Sequence, residues 1–128
     1  MNNNLILIDG GMGQELIHRS KKKPDGLWSA RVMLDEYDLV VDLHKDFINA
    51  GAEAITLNSY SVTPQRLKRF NLENMFKELQ KTAINAALDA INSASNEKNI
   101  KIEVRWTNGK TKMISVKNLN QTITLKQK

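Results

Sequence analysis

Four consecutive apolar residues, Leu5 to Ile8, run directly into Asp9-Gly10-Gly11, and this one junction restricts the fold more than anything else in the chain. An uninterrupted apolar run of that length reads as a strand buried on both faces, as in a parallel sheet covered by helices, with the glycines ending it in a loop. A polar, basic loop follows at Ser20 to Asp25, and Leu27 to Leu34 has room for a turn or two of helix. From Asp38 the apolar residues Leu39, Val40, Leu43, Phe47 and Ile48 recur at helical spacing, with Asp38 placed to cap the start and Gly51 to close the end. Ala54 to Leu57 then reads as a second short strand. The order strand, connection with helix, strand predicts a right-handed parallel βαβ unit. Thr63 and Pro64 suit a helix cap and first position, and Leu72, Met75, Phe76, Leu79, Ala83, Ala86, Ala87 and Ile91 form the next apolar helical face.

Beyond residue 95 the pattern changes. Ile100, Ile102, Val104 and Trp106 alternate with Lys101, Glu103 and Arg105, and Asn108-Gly109 offers a two-residue hairpin turn. Met113, Ser115 and Val116 begin a return strand, and Thr122 to Leu125 supplies a third. The expectation is an antiparallel meander, apolar on one side and lysine-rich on the other. Charge changes at the same place: residues 1–95 hold 11 basic and 12 acidic side chains, residues 96–128 hold 8 and 2. The net charge of +5 therefore resides in the tail, and Asn92 to Asn99 is the candidate boundary between a unit at 1–95 and one at 96–128.

A length of 128 residues, with 41% hydrophobic and 26% charged, fits a globular domain and is about half of the roughly 250 residues of a closed (β/α)8 barrel. No apolar run approaches the roughly 20 residues of a membrane span, and Met1 to Asn4 lacks the basic and apolar stretches of a secretory signal, so the expected location is cytoplasmic, with no membrane partner. The chain has no cysteine, which removes disulfides, thiolate nucleophiles and thiolate metal ligands together.

Four blocks, Asp9-Gly10-Gly11-Met12-Gly13-Gln14-Glu15-Leu16, Leu27-Trp28-Ser29, His44-Lys45-Asp46-Phe47 with Ala50-Gly51-Ala52, and Ile55-Thr56-Leu57-Asn58-Ser59-Tyr60, resemble the homocysteine-binding domain of homocysteine S-methyltransferases and cobalamin-dependent methionine synthase. Pro64-Gln65-Arg66-Leu67 and the helix through Ile91 continue the likeness over residues 5–95, the opening third of the family domain. Gln14 departs from the family's usual threonine. The resemblance implies an α/β fold, the first two β/α units of a partial (β/α)8 (TIM) barrel, followed here by the small antiparallel meander. It also implies an activity: methyl transfer to homocysteine giving methionine, in which a zinc ion held by cysteines keeps the substrate sulfur anionic. Those cysteines lie late in the family domain. Without one here, zinc is not expected to bind this chain, which is then incomplete and inactive alone, and the methyl donor is left open. The tail is similar to the ASPIC/UnbV module through Ile102 to Lys110 and Asn120-Gln121-Thr122, as in a fusion or frame-disrupted product.

By the same resemblance Asp9, at a strand's carboxyl end, contacts the amino group of homocysteine, although Asp-Gly-Gly is also an ordinary tight turn. Gly10 and Gly11, with Gly13, let the backbone approach a ligand. Trp28 is either an apolar wall beside the substrate or a plug at the barrel end. Asn58 and Tyr60 can reach the same site or serve as satisfied loop residues. No residue is assigned as catalytic or as a metal ligand: His18 and His44 read as helix-surface residues and Lys21-Lys22-Lys23 as a solvated loop. Competing readings are a noncatalytic interaction module, with self-association or a complementing polypeptide, a degenerate fragment, and nucleic-acid binding through the tail lysines, which the single tail tryptophan disfavours.

Overall fold

A computed structural model describes residues 5–94, 100–105 and 109–115. Five helices, α1 (Met12–Arg19), α2 (Ser29–Asp35), α3 (Tyr37–Asn49), α4 (Pro64–Lys68) and α5 (Phe76–Ser93), combine with three strands, β1 (Ala54–Thr56), β2 (Lys101–Arg105) and β3 (Thr111–Ser115). The sheet order is β1-β2-β3, so the chain is mixed α/β.

The clearest periodic pattern in the sequence corresponds to α3. In α3, Val40, Val41, Leu43, His44 and Ile48 are buried. The helix ends as Gly51 foretells: the glycine takes φ 112°, its N–H donates to the Ile48 carbonyl at 3.1 Å, and the Ala52 N–H reaches the Phe47 carbonyl at 3.0 Å. This is the paired C-terminal closure that a left-handed residue permits, and it turns the chain into β1 two residues later. At the other end Glu36, not Asp38, is the N-cap residue, and Asp38 lies in the first turn, where its charge suits the helix dipole. Thr63 caps α4 as expected, its Oγ1 accepting the Arg66 N–H at 3.2 Å with Pro64 inside the first turn.

Helix α5 buries Leu79, Ala83, Ala86, Ala87 and Ala90, a stripe of mostly small side chains that lets it approach α3 closely. The Tyr37 hydroxyl of α3 donates to Asp89 of α5 at 2.6 Å and ties the two together. Helix α1 is absent from the sequence reading, which saw only a glycine loop. It forms because Met12 and Leu16, one turn apart, enter the core.

Two expectations need correction. Leu5 to Ile8 is not a strand buried on both faces: Leu5 is 85% and Leu7 57% exposed, and one parallel bridge, Ile8 to Ala54, holds the run beside β1. Burial on both faces requires layers packed above and below the strand, and the exposure of Leu5 and Leu7 shows that the described residues do not supply them. The residues after 100 do not begin an isolated antiparallel meander either. β2 pairs parallel with β1, Ala54 opposite Lys101, Ile55 opposite Ile102 and Thr56 opposite Glu103, and among the described strands only β3 returns antiparallel. The hairpin turn expected at Asn108-Gly109 falls partly outside the described residues: pairing is described as far as Arg105 opposite Thr111, and Gly109 takes φ 85°. Asn108, Trp106 and the third tail strand at Thr122 to Leu125 lie outside the described residues.

Candidate functional site

Parallel pairing with matched register brings three polar residues into one row. Asp9 follows the edge run, its backbone N–H donating to the Ala54 carbonyl at 3.1 Å, Thr56 closes β1, and Glu103 stands opposite Thr56 on β2. Both Asp9 and Glu103 are buried, at 8% and 6% exposure. The Asp9 carboxylate accepts two hydrogen bonds from a single residue: the Thr56 N–H to Oδ2 at 2.8 Å and the Thr56 hydroxyl to Oδ1 at 2.9 Å. Glu103 Oε2 lies 3.4 Å from the same hydroxyl. Two buried carboxylates thus flank one threonine at the carboxyl end of β1. Such a row attracts a cationic group, since a carboxylate with fixed hydrogen bonds offers directed acceptors to an ammonium.

The other residues singled out in the sequence fall into separate contacts. Asn58 is buried, and its Nδ2 donates to the Ser29 carbonyl at 3.1 Å, joining the end of β1 to the first turn of α2. Trp28 is the N-cap residue of α2 at φ 58°, and its ring meets Tyr60 edge to face, centroids 5.9 Å apart. Tyr60 itself is 78% exposed. A Cβ on Gly13 would sit 2.6 Å from the Trp28 ring, so Gly13 serves packing between α1 and that indole. Gly10 faces the Phe47 ring, which a Cβ would meet at 3.2 Å, whereas a Cβ on Gly11 would meet nothing within 4 Å. A shallow hollow bounded by Ile17, Lys22, Trp28, Arg31 and Val32 includes neither Asp9 nor Thr56.

Two further residues escaped the sequence reading. Glu103 was assigned to the lysine-rich outer face by alternation, yet register against Thr56 buries it. Ser61, fully buried, accepts the Ala30 N–H at 3.0 Å and so caps α2 from the loop after β1, a task the Trp28 side chain cannot perform. Thr56 was visible within its motif, but nothing local marked it as the partner of Asp9, 47 positions away.

His44 is likewise misplaced by the sequence reading. It is fully buried rather than on the helix surface, and neither ring nitrogen has a hydrogen-bond partner among the described residues. Burial pushes its pKa down to about 4. His18, by contrast, is exposed on α1 as expected. Among the described residues no group of three or more His, Cys, Asp or Glu side chains converges as metal ligands would. No described helix is long and apolar enough to cross a membrane.

The homocysteine S-methyltransferase family model matches residues 6–127, reaching past the stretch 5–95 into the tail. Homocysteine S-methyltransferase of Escherichia coli (strain K12) is 38% identical over 60 residues, covering 47% of this chain and 19% of that protein. Homocysteine S-methyltransferase 2 of Arabidopsis thaliana is 34% identical over 89 residues, 68% of this chain and 26% of the relative. Selenocysteine Se-methyltransferase of Brassica oleracea var. italica is 35% identical over 78 residues, 59% of this chain and 22% of that protein. Among solved structures, the oxidized form of the homocysteine methyltransferase MmuM from Escherichia coli superposes with a TM-score of 0.64 at 30% identity, over 72% of this chain and 32% of that one. The chain thus spans about a fifth to a quarter of the length of these curated relatives.

Proposed function

The chain belongs to the homocysteine S-methyltransferase family, and from that premise we propose that it is the homocysteine-binding opening of a partial (β/α)8 barrel, with Asp9 receiving the substrate ammonium. The observation that carries this reading is the seat of Asp9, a buried carboxylate held by both Thr56 donors at a strand's carboxyl end, the rim where barrels of this kind place their ligands. The run 5–8, β1 and β2 lie side by side in chain order, in keeping with successive barrel strands. By the same proposal Gly10 and Gly11, next to Asp9 in the chain, let the backbone approach the ligand, and the edge-to-face pair of Trp28 and Tyr60 supplies an apolar wall for its sulfur end. Asn58, engaged with the Ser29 carbonyl, shapes the loop that carries Tyr60.

Methyl transfer is a separate matter. The family reaction uses zinc held by thiolates, and the 128 residues contain no cysteine, so the residues present do not fit such a site. We therefore derive no step through zinc, and propose that these residues alone bind homocysteine without methylating it. Isothermal titration of the full chain with L-homocysteine tests the binding claim: the expected result is saturable binding that Asp9→Ala abolishes. Binding of equal strength in the variant, or none in the parent chain, sinks it. Methionine formation from homocysteine, added zinc and S-methylmethionine by the unmodified chain would overturn the second claim.

The exposed run Leu5 to Ile8, paired among the described residues on the β1 side alone, favours one companion reading, in which its other edge associates with a second copy or with a complementing polypeptide. Light scattering decides between them: a monodisperse monomer at high concentration excludes self-association.

A further inference from the structure

We infer that Thr56 is a positioning residue for Asp9 and sets the direction from which that carboxylate meets a cationic ligand; the inference rests on the homocysteine-binding reading. A carboxylate has two oxygens and about four lone-pair sites, and its plane turns freely unless both oxygens are held. Here both are held by one residue, Oδ2 by the Thr56 N–H at 2.8 Å and Oδ1 by the Thr56 hydroxyl at 2.9 Å. Rotation of the Asp9 carboxylate would stretch both bonds together, so its orientation is tied to β1.

The hydroxyl carries a single hydrogen and has two carboxylate oxygens in range, Asp9 at 2.9 Å and Glu103 at 3.4 Å. The shorter contact takes the proton, because hydroxyl donors bond best near 2.7 to 2.8 Å and weaken with distance. Threonine suits the task better than serine: its branched Cβ restricts χ1, which keeps Oγ1 aimed at Asp9. Valine at this position would retain the shape and the backbone N–H and lose only the hydroxyl.

The test compares two ligands and two substitutions in the full chain. L-homocysteine carries the ammonium group, and 4-sulfanylbutanoate is the same skeleton without it. Thr56→Val is expected to weaken L-homocysteine by about tenfold, the scale of one lost hydrogen bond to a charged group, and to leave 4-sulfanylbutanoate unchanged. Thr56→Ser is expected to restore L-homocysteine binding to within about threefold of the parent. The selective loss and the rescue are effects that a merely structural role for Thr56 would not produce. Equal weakening of both ligands, unchanged homocysteine affinity in Thr56→Val, or no rescue by serine each overturns the positioning role while leaving the proposed function standing. If the parent chain binds L-homocysteine and Asp9→Ala binds it equally well, the proposed function falls and this inference with it; absence of binding by the parent does the same.

Discussion

Substituting His44 by leucine removes two ring nitrogens that have no hydrogen-bond partner among the described residues, at a fully buried position of α3. Burial lowers the folded-state pKa from 6.5 to about 4. The unfolded chain, whose imidazole is solvated, therefore takes up a proton before the folded chain does. The neutral ring's contribution to stability is fully present above about pH 6.5 and is lost as pH falls through the interval down to about 4. At roughly 1.4 kcal/mol per pH unit of difference, the complete loss is about 3 kcal/mol and the loss between pH 7 and pH 5 about 2 kcal/mol. Urea unfolding followed by tryptophan fluorescence at pH 7 and pH 5 measures it. The parent chain should lose about 2 kcal/mol more than His44→Leu over that step. At pH 7 the variant should equal or exceed the parent, because removing unpaired buried nitrogens recovers about 1 to 3 kcal/mol of desolvation cost, offset in part by the change of shape. An identical pH response in the two chains, or a variant weaker by several kcal/mol at pH 7, refutes the reasoning, since either result means that the imidazole has a polar partner.

Two local substitutions test how the helices around the candidate site are built. Gly13→Ala should cost about 1 to 3 kcal/mol by driving a methyl group into the Trp28 ring, whereas Gly11→Ala, with open space around it, should shift the thermal midpoint little. Ser61→Ala should destabilise by about 1 to 2 kcal/mol, because the Ala30 N–H is left buried without its acceptor; hydrogen exchange at that amide should accelerate more than at amides in the middle of α5.

What was legible in the sequence is what depends on near neighbours. The spacing of Val40, Leu43 and Ile48 gives α3, Gly51 gives its closure, and Thr63-Pro64 gives the start of α4, because each effect acts within a few residues. His44 could have been placed by the same rule, since it stands four residues from both Val40 and Ile48 and so shares their face; its polarity obscured the geometry. Helix α1 was hidden for the opposite reason. Three glycines in four positions read as a loop, while the gain from burying Met12 and Leu16 and from seating the Trp28 ring over Gly13 outweighs their poor helical propensity.

The candidate site itself is set by register, which local patterns do not encode. Alternation assigns Ile102 and Glu103 to opposite faces of β2 but does not name the neighbouring strand, and a strand's polar face is solvated only if nothing covers it. Pairing β2 beside β1 places Glu103 opposite Thr56, and pairing the 5–8 run on the other side of β1 brings Asp9 to the same threonine. A shift of one residue in either pairing would turn Thr56 or its partners to the other face and separate both carboxylates from the hydroxyl. The chemistry of the site is therefore a property of strand alignment, and the apolar residues Ile55 and Ile102, fully buried side by side, fix that alignment even though neither could touch a ligand held at Asp9 through a polar contact.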